Sequence, residues 1–245
     1  MSERICLGFG LLEILIGLML SSLILIMLGR YAILIQNQAT HINNLFAEDI
    51  ELRRVTDMLR TSIWQAGFTP CLNVDRLISI DQRKSPTFVH AIDFIDGINI
   101  NRMNPRFSEI ISWDDRQTIT LDKHTKIMLD HAVIIADCEH AEVQSISSIY
   151  PGKNGTKLRL ERASAFTYTP PVYVGEWIEE RFFVQKKSGK VSALFYKWHH
   201  VDRLTDLVHA LSAQAINLPL GRLIKVTLGL DQSKTLDVYA TVRAR

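Results

Sequence analysis

The stretch from Gly8 to about Ile35, beginning GFGLLEILIGLMLSSLILIML, leaves this chain few choices. From Phe9 to Leu28 it supplies about 20 residues, a helix of roughly 30 Å, which matches the hydrocarbon thickness of a bilayer. Only Glu13 and the small residues Gly10, Gly17, Ser21 and Ser22 interrupt it. A carboxylate in such a segment costs about 2.5–3.5 kcal/mol near the helix centre and less near an end. Glu13 therefore calls for a partner and a function. Arg4, beside Glu3, precedes the run and Arg30 follows it, so the flanking charges orient it only weakly. The run is longer than the core of a cleaved secretory signal and lacks an A-x-A-like end. Its plainest alternative is a signal anchor carrying a stray glutamate.

Helical periodicity continues beyond the run. Leu34, Ile42, Leu45, Phe46, Leu52, Val55, Met58, Leu59, Ile63 and Trp64 recur mostly at spacings of three and four, with Glu48, Asp49, Glu51, Arg53, Arg54, Asp57 and Arg60 between them. The spacing predicts one helix from about Phe9 to Ala66. Its part from residue 9 to 35 suits a membrane. Its amphipathic part, 36–67, would lay the apolar stripe on a globular domain. Gly67 and Pro70 end it, with Gly67 as a C-cap.

From residue 68 to 245 the pattern changes to short β segments. Expected strands are Thr87–Ile95, Arg106–Ser112, Thr118–Leu121, Ala132–Ala136, Val143–Tyr150, Lys157–Arg162, Val172–Val174, Trp177–Gln185, Val191–Trp198, Arg222–Leu230 and Leu236–Val242. Several alternate apolar and polar residues, which argues for an antiparallel sheet with one wet face. Asn154-Gly155 and Ser188-Gly189 are hairpin-turn signals. Leu204, Leu207, Val208 and Leu211 favour a short helix within Val201 to Ile216. The polar, turn-rich stretch from Asp81 to Pro105 reads as an irregular excursion. A helix packed on a sheet gives an α+β fold, and about 200 residues beyond the membrane part suffice for one core. The formal net charge of +2 gives no electrostatic argument for nucleic acid.

Gly8-Phe9 followed by Glu13 and an unbroken apolar helix resembles the type IV prepilin signature. The resemblance implies a leader of residues 1–8, cleavage between Gly8 and Phe9 by a prepilin peptidase on the cytoplasmic side, and methylation of the new Phe9 amine. Glu13 then takes the place of the family's glutamate at the fifth mature residue. The physics agrees: an amine at Phe9 and a carboxylate at Glu13 are opposite charges at membrane depth. Neighbouring subunits can pair them, which sets register and lowers the desolvation penalty of each.

Ala66-Gly67-Phe68 followed by Cys71, and Ala136-Asp137-Cys138 after an apolar strand, resemble the PilW group of minor type IV pilins. That implies a pilin-like fold and a non-enzymatic role in priming pilus growth, with a place at the tip. The implied partners are other minor pilins, the major pilin, the prepilin peptidase, the inner-membrane assembly platform, and membrane lipid before assembly. The implied location is the bacterial inner membrane with a periplasmic carboxyl domain, and then the pilus surface. Adhesion, twitching motility or DNA uptake would follow. The nearest rival is a J-like minor pseudopilin of type II secretion. A membrane-anchored periplasmic enzyme or binding protein is a third reading, and it predicts a deep pocket with convergent titratable groups.

Of the three cysteines, Cys6 falls in the leader. Two cysteines in an exported domain suggest a Cys71–Cys138 disulfide, the alternative being two buried free thiols. Catalytic chemistry finds little support. His199-His200, as neighbours on a strand, would point to opposite faces, so no metal site is expected there. Cys138 and His140 share a strand face without a second cluster. Gly152 to Lys157 lacks the spacing of a phosphate loop, and Asp114-Asp115 reads as a polar loop beside Trp113. No Gly-x-Ser-x-Gly or HExxH motif occurs, and neither a cofactor nor a metal is expected.

Overall fold

The computed structural model describes residues 10–83, 86–122, 127–152, 155–185, 192–219, 221–230 and 234–243. The chain divides into two units, Met1–Glu51 and Leu52–Arg245. A single α-helix, α1 (Leu11–Gln65), contains the boundary. In the first unit the apolar side chains from Leu12 to Phe46 are exposed, Leu12 at 73% and Leu25 at 69%. By length and composition α1 can cross a membrane, and it is the one such helix among the described residues.

The second unit is an antiparallel-rich β domain, so the chain is α+β. After a short 3-10 turn, Val74–Arg76, come β1 (Ile78–Asp81), β2 (Thr87–Phe88), β3 (Ile92–Asp93), β4 (Ile98–Met103), β5 (Ser108–Trp113), β6 (Thr118–Leu121), β7 (Val133–Ala136) and β8 (His140–Gln144). Then follow β9 (Ile146–Pro151), β10 (Thr156–Leu160), β11 (Tyr173–Gln185), β12 (Ala193–Lys197), β13 (Val201–Thr205), β14 (Ala210–Leu218), β15 (Gly221–Gly229) and β16 (Thr235–Val242). The larger sheet runs β2-β1-β8-β7-β11-β5-β6-β10-β9, with β3, β4, β12 and β13 branching from β11. Among its pairings β1 with β8 is parallel. The smaller sheet is β14-β15-β16.

Strand β11 organises the larger sheet by changing partners along its length. Tyr173 to Glu176 pair with β7, and Trp177 to Phe182 pair with β4. Its last residues, Arg181 to Gln185, pair with β12. All four residues of β7 are buried, because Ile134 and Ala136 enter one core and Val133 and Ile135 the other. A strand covered on both faces reads as a continuous apolar run rather than an alternation. The larger core joins the carboxyl end of α1 to both sheets. Val55, Leu59 and Ile63, spaced by helical turns, are buried with Ile98, Ile100, Ile224, Val226 and Val238.

Several expectations need correcting. Val201–Ile216 is not helical: it holds β13 and most of β14. Strand β14 pairs with β15 in unbroken register from Ala210↔Gly229 to Leu218↔Gly221. Helix-favouring Ala and Leu are overridden because the alternating strand β15 supplies a continuous ladder. The stretch from Asp81 to Pro105 is not one irregular excursion either, since β4 lies within it with Ile98, Ile100 and Met103 buried. The two segments expected at 172–174 and 177–185 are one strand, β11. The single strand expected at 143–150 is two, β8 and β9. The Ser188-Gly189 turn signal and Asn154 lie outside the described residues.

Candidate functional site

Of the expected processing and docking residues, Gly8 and Phe9 lie outside the described residues. Glu13 sits in the first turn of α1, exposed, with its backbone N–H donating to the Gly10 carbonyl at 2.9 Å. An acid in a first helical turn also meets the positive end of the helix dipole.

The carboxyl end of α1 is held by a dense elbow. Gly67 has φ +68, the left-handed conformation that ends helices. Its N–H donates to the Asn101 carbonyl at 2.7 Å, and its carbonyl accepts from the Val74 N–H at 2.8 Å. The Asn73 amide donates to the Ala66 carbonyl at 2.8 Å, satisfying a carbonyl that the ended helix leaves unpaired. The same amide nitrogen donates to the Arg243 carbonyl at 3.0 Å. The Arg243 guanidinium lies 5.4 Å from the Trp64 ring and 5.5 Å from the Phe68 ring. A Cβ on Gly67 would meet Asn73 Oδ1 at 2.3 Å and Ala91 Cβ at 2.6 Å. Gly67→Ala is therefore expected to cost about 2–4 kcal/mol, combining the left-handed backbone penalty with displacement of the Asn73 clamp. Urea unfolding of the variant would measure it, and a loss under about 0.5 kcal/mol would mean that the elbow relaxes freely.

Next to the elbow, Cys71 and Cys138 form a disulfide with their Cα atoms 5.2 Å apart. It joins the bend after α1 to the turn between β7 and β8. Asp137 shapes that turn. Its carboxylate is buried and accepts from the Glu139, His140 and Thr169 N–H groups at 2.8, 2.6 and 2.9 Å. Burial alone would raise the Asp137 pKa, but the three backbone donors outweigh it and hold the carboxyl below the usual range. Cys138 is committed to the disulfide and is no ligand partner for His140.

The remaining candidates separate in space and role. Asp114 pairs with Lys157. Asp115 accepts from the Gln117 and Thr118 N–H groups at 2.6 and 2.7 Å, and these bonds lower its pKa. Asp115 thus closes the loop between β5 and β6, and Asp114 ties that loop to β10. Gly152 lies in the connection between β9 and β10, its N–H donating to the Gly155 carbonyl at 2.7 Å. A cleft of about 670 Å³ is bordered by Asp75, His90 and Arg222. There Asp75 faces Arg222 Nη1 at 3.7 Å and accepts from the Ala91 N–H at 2.8 Å.

His199 and His200 lie in the bend between β12 and β13 rather than on a strand, so the alternating-face argument does not apply to them. His199 faces Glu176 of β11, with its Nε2 3.7 Å from Glu176 Oε1. His131, just before β7, places Nδ1 2.5 Å from the same oxygen. The two imidazole rings stack 4.4 Å apart. No spacing in the sequence connects these three residues, because the sheet brings them together from separate elements.

No family model, no curated protein and no solved structure matches this chain.

Proposed function

We propose that this chain is a minor type IV pilin of the PilW kind, processed between Gly8 and Phe9, which helps to prime pilus growth and stands at or near the tip. The observation that carries the reading is an α1 whose first half exposes a continuous apolar surface with Glu13 as its acid in the first turn. Such a surface is stable only in lipid or against other apolar helices. A lone carboxylate near its start is tolerated when a cation meets it, and the Phe9 amine of a neighbouring subunit is that cation. The disulfide beside the elbow suits a domain exported to an oxidising compartment. The β domain would then make lateral contacts with other minor pilins.

Glu13→Val is expected to leave the chain cleaved and membrane-bound while its amount in sheared filaments falls at least about tenfold, the effect of losing roughly 1.4 kcal/mol of docking energy. Immunoblots of membrane and filament fractions measure both quantities. Wild-type incorporation of the variant would remove the docking role of Glu13. Loss of exoprotein release with normal pili, after deletion of the gene, would instead assign the chain to a type II secretion pseudopilus.

A further inference from the structure

We propose that His131, Glu176 and His199 form a binding site for a divalent transition-metal ion of the zinc class. The three side chains come from the loop before β7, the middle of β11 and the bend after β12. Each offers one ligand atom, and the three atoms lie within 4.8 Å of one another. This is the one such group among the described residues. Two imidazole nitrogens and one carboxylate oxygen are a ligand set that zinc accepts, with water in the fourth position. Zinc bonds of about 2.0–2.2 Å in a tetrahedron place ligand atoms roughly 3.3 Å apart. The observed separations of 2.5 Å and 3.7 Å from Glu176 Oε1 bracket that value. The rings of His131 and His199 lie nearly parallel, 15° apart, so one imidazole must turn out of the stack to aim its lone pair at the ion.

Three features distinguish the site from a chance cluster of surface groups. First, the carboxylate is oriented by a second partner: the Asn104 side-chain amide donates to Glu176 Oε2 at 2.9 Å, leaving Oε1 for the histidines. Supporting hydrogen bonds of this kind fix metal-ligating carboxylates. Second, the backbone around Glu176 is pinned on both sides. The Asn104 N–H donates to the Glu176 carbonyl and the Trp177 N–H to the Ala132 carbonyl, each at 2.8 Å. The second bond ties the residue after His131 to β11. Third, His199 Nε2, at 3.7 Å, lies beyond hydrogen-bond reach of Glu176 Oε1. A dication satisfies all three ligands together. It would join the β7, β11 and β12 regions independently of the membrane helix, so the site does not depend on the pilin reading.

The test uses the full chain in detergent, without a histidine tag, stripped of metal and titrated with Zn2+ against a chromophoric chelator. Wild type and His200→Ala are expected to bind a single zinc ion per chain. His199→Ala and Glu176→Gln are each expected to weaken binding by at least about 100-fold, and Asn104→Ala by roughly 10-fold. The Trp198 ring lies tilted beside His199 with ring centroids 4.2 Å apart, so zinc should also change tryptophan fluorescence, and Trp198→Phe should reduce that change. Failure of the wild-type chain to bind zinc stoichiometrically would overturn the site whatever the folding of the variants. Unchanged affinity in folded His199→Ala and Glu176→Gln would do the same and would leave a hydrogen-bonded His–Glu pair.

Discussion

Replacing Arg102 with alanine is expected to destabilise the β domain by about 3–5 kcal/mol, because it leaves the Glu180 carboxylate buried without its counter-charge. The Arg102 side chain is 13% exposed and that of Glu180 4%. Arg102 Nη2 donates to Glu180 Oε1 at 2.6 Å. The residues occupy diagonal positions on paired strands, since Arg102 of β4 faces Ile178 and Glu180 of β11 faces Ile100. Tyr196 of β12 stands next to the pair. Burial and the Glu180 charge push its phenol up to about 12, and Arg102 partly opposes this. Without Arg102, Glu180 would have to take up a proton or draw water into the core. Arg102→Met combined with Glu180→Leu removes both charges and should cost far less than either single change. Denaturant unfolding of the two singles and the double measures the coupling. A loss under about 1 kcal/mol for Arg102→Ala would show that water already reaches Glu180.

The second large effect lies in the disulfide. Cys71→Ser with Cys138→Ser should lower the unfolding free energy of the domain by about 4 kcal/mol in the chain-entropy model, for a bridge between residues 67 apart in sequence. Reducing the wild-type chain should give a similar loss and free two thiols for alkylation. The bridge and the Gly67–Asn73 clamp hold the same elbow. Gly67→Ala should therefore cost more in the reduced chain than in the oxidised one, since neighbouring constraints are not additive. Equal stability of oxidised and reduced chains would mean that the elbow alone fixes the end of α1.

The membrane-length helix and its stop were legible because each rests on local chemistry. An uninterrupted apolar run has one economical conformation in lipid, and Gly67 takes the positive φ that few other residues adopt without strain. What was not legible depended on pairing at long range. Strand β4, Ile98 to Met103, hides its buried isoleucines between asparagines, a composition that resembles turns. Its isoleucines are buried because the carboxyl end of α1 and the smaller sheet share their core. Strand β14 is rich in alanine and leucine and is extended because β15 pairs with it. The His131–Glu176–His199 cluster is the clearest case. Adjacency in sequence pairs His199 with His200, whereas the groups that face it come from β11 and the loop before β7.

The pilin reading rests on a cleavage between Gly8 and Phe9, so the most direct measurement is mass spectrometry of the amino-terminal peptide from membrane and sheared-filament fractions. A chain beginning at N-methylated Phe9, present in filaments and absent from a variant with a bulky residue in place of Gly8, is the predicted result. An intact amino terminus beginning at Met1 or Ser2 in every fraction would contradict it and make α1 a plain signal anchor.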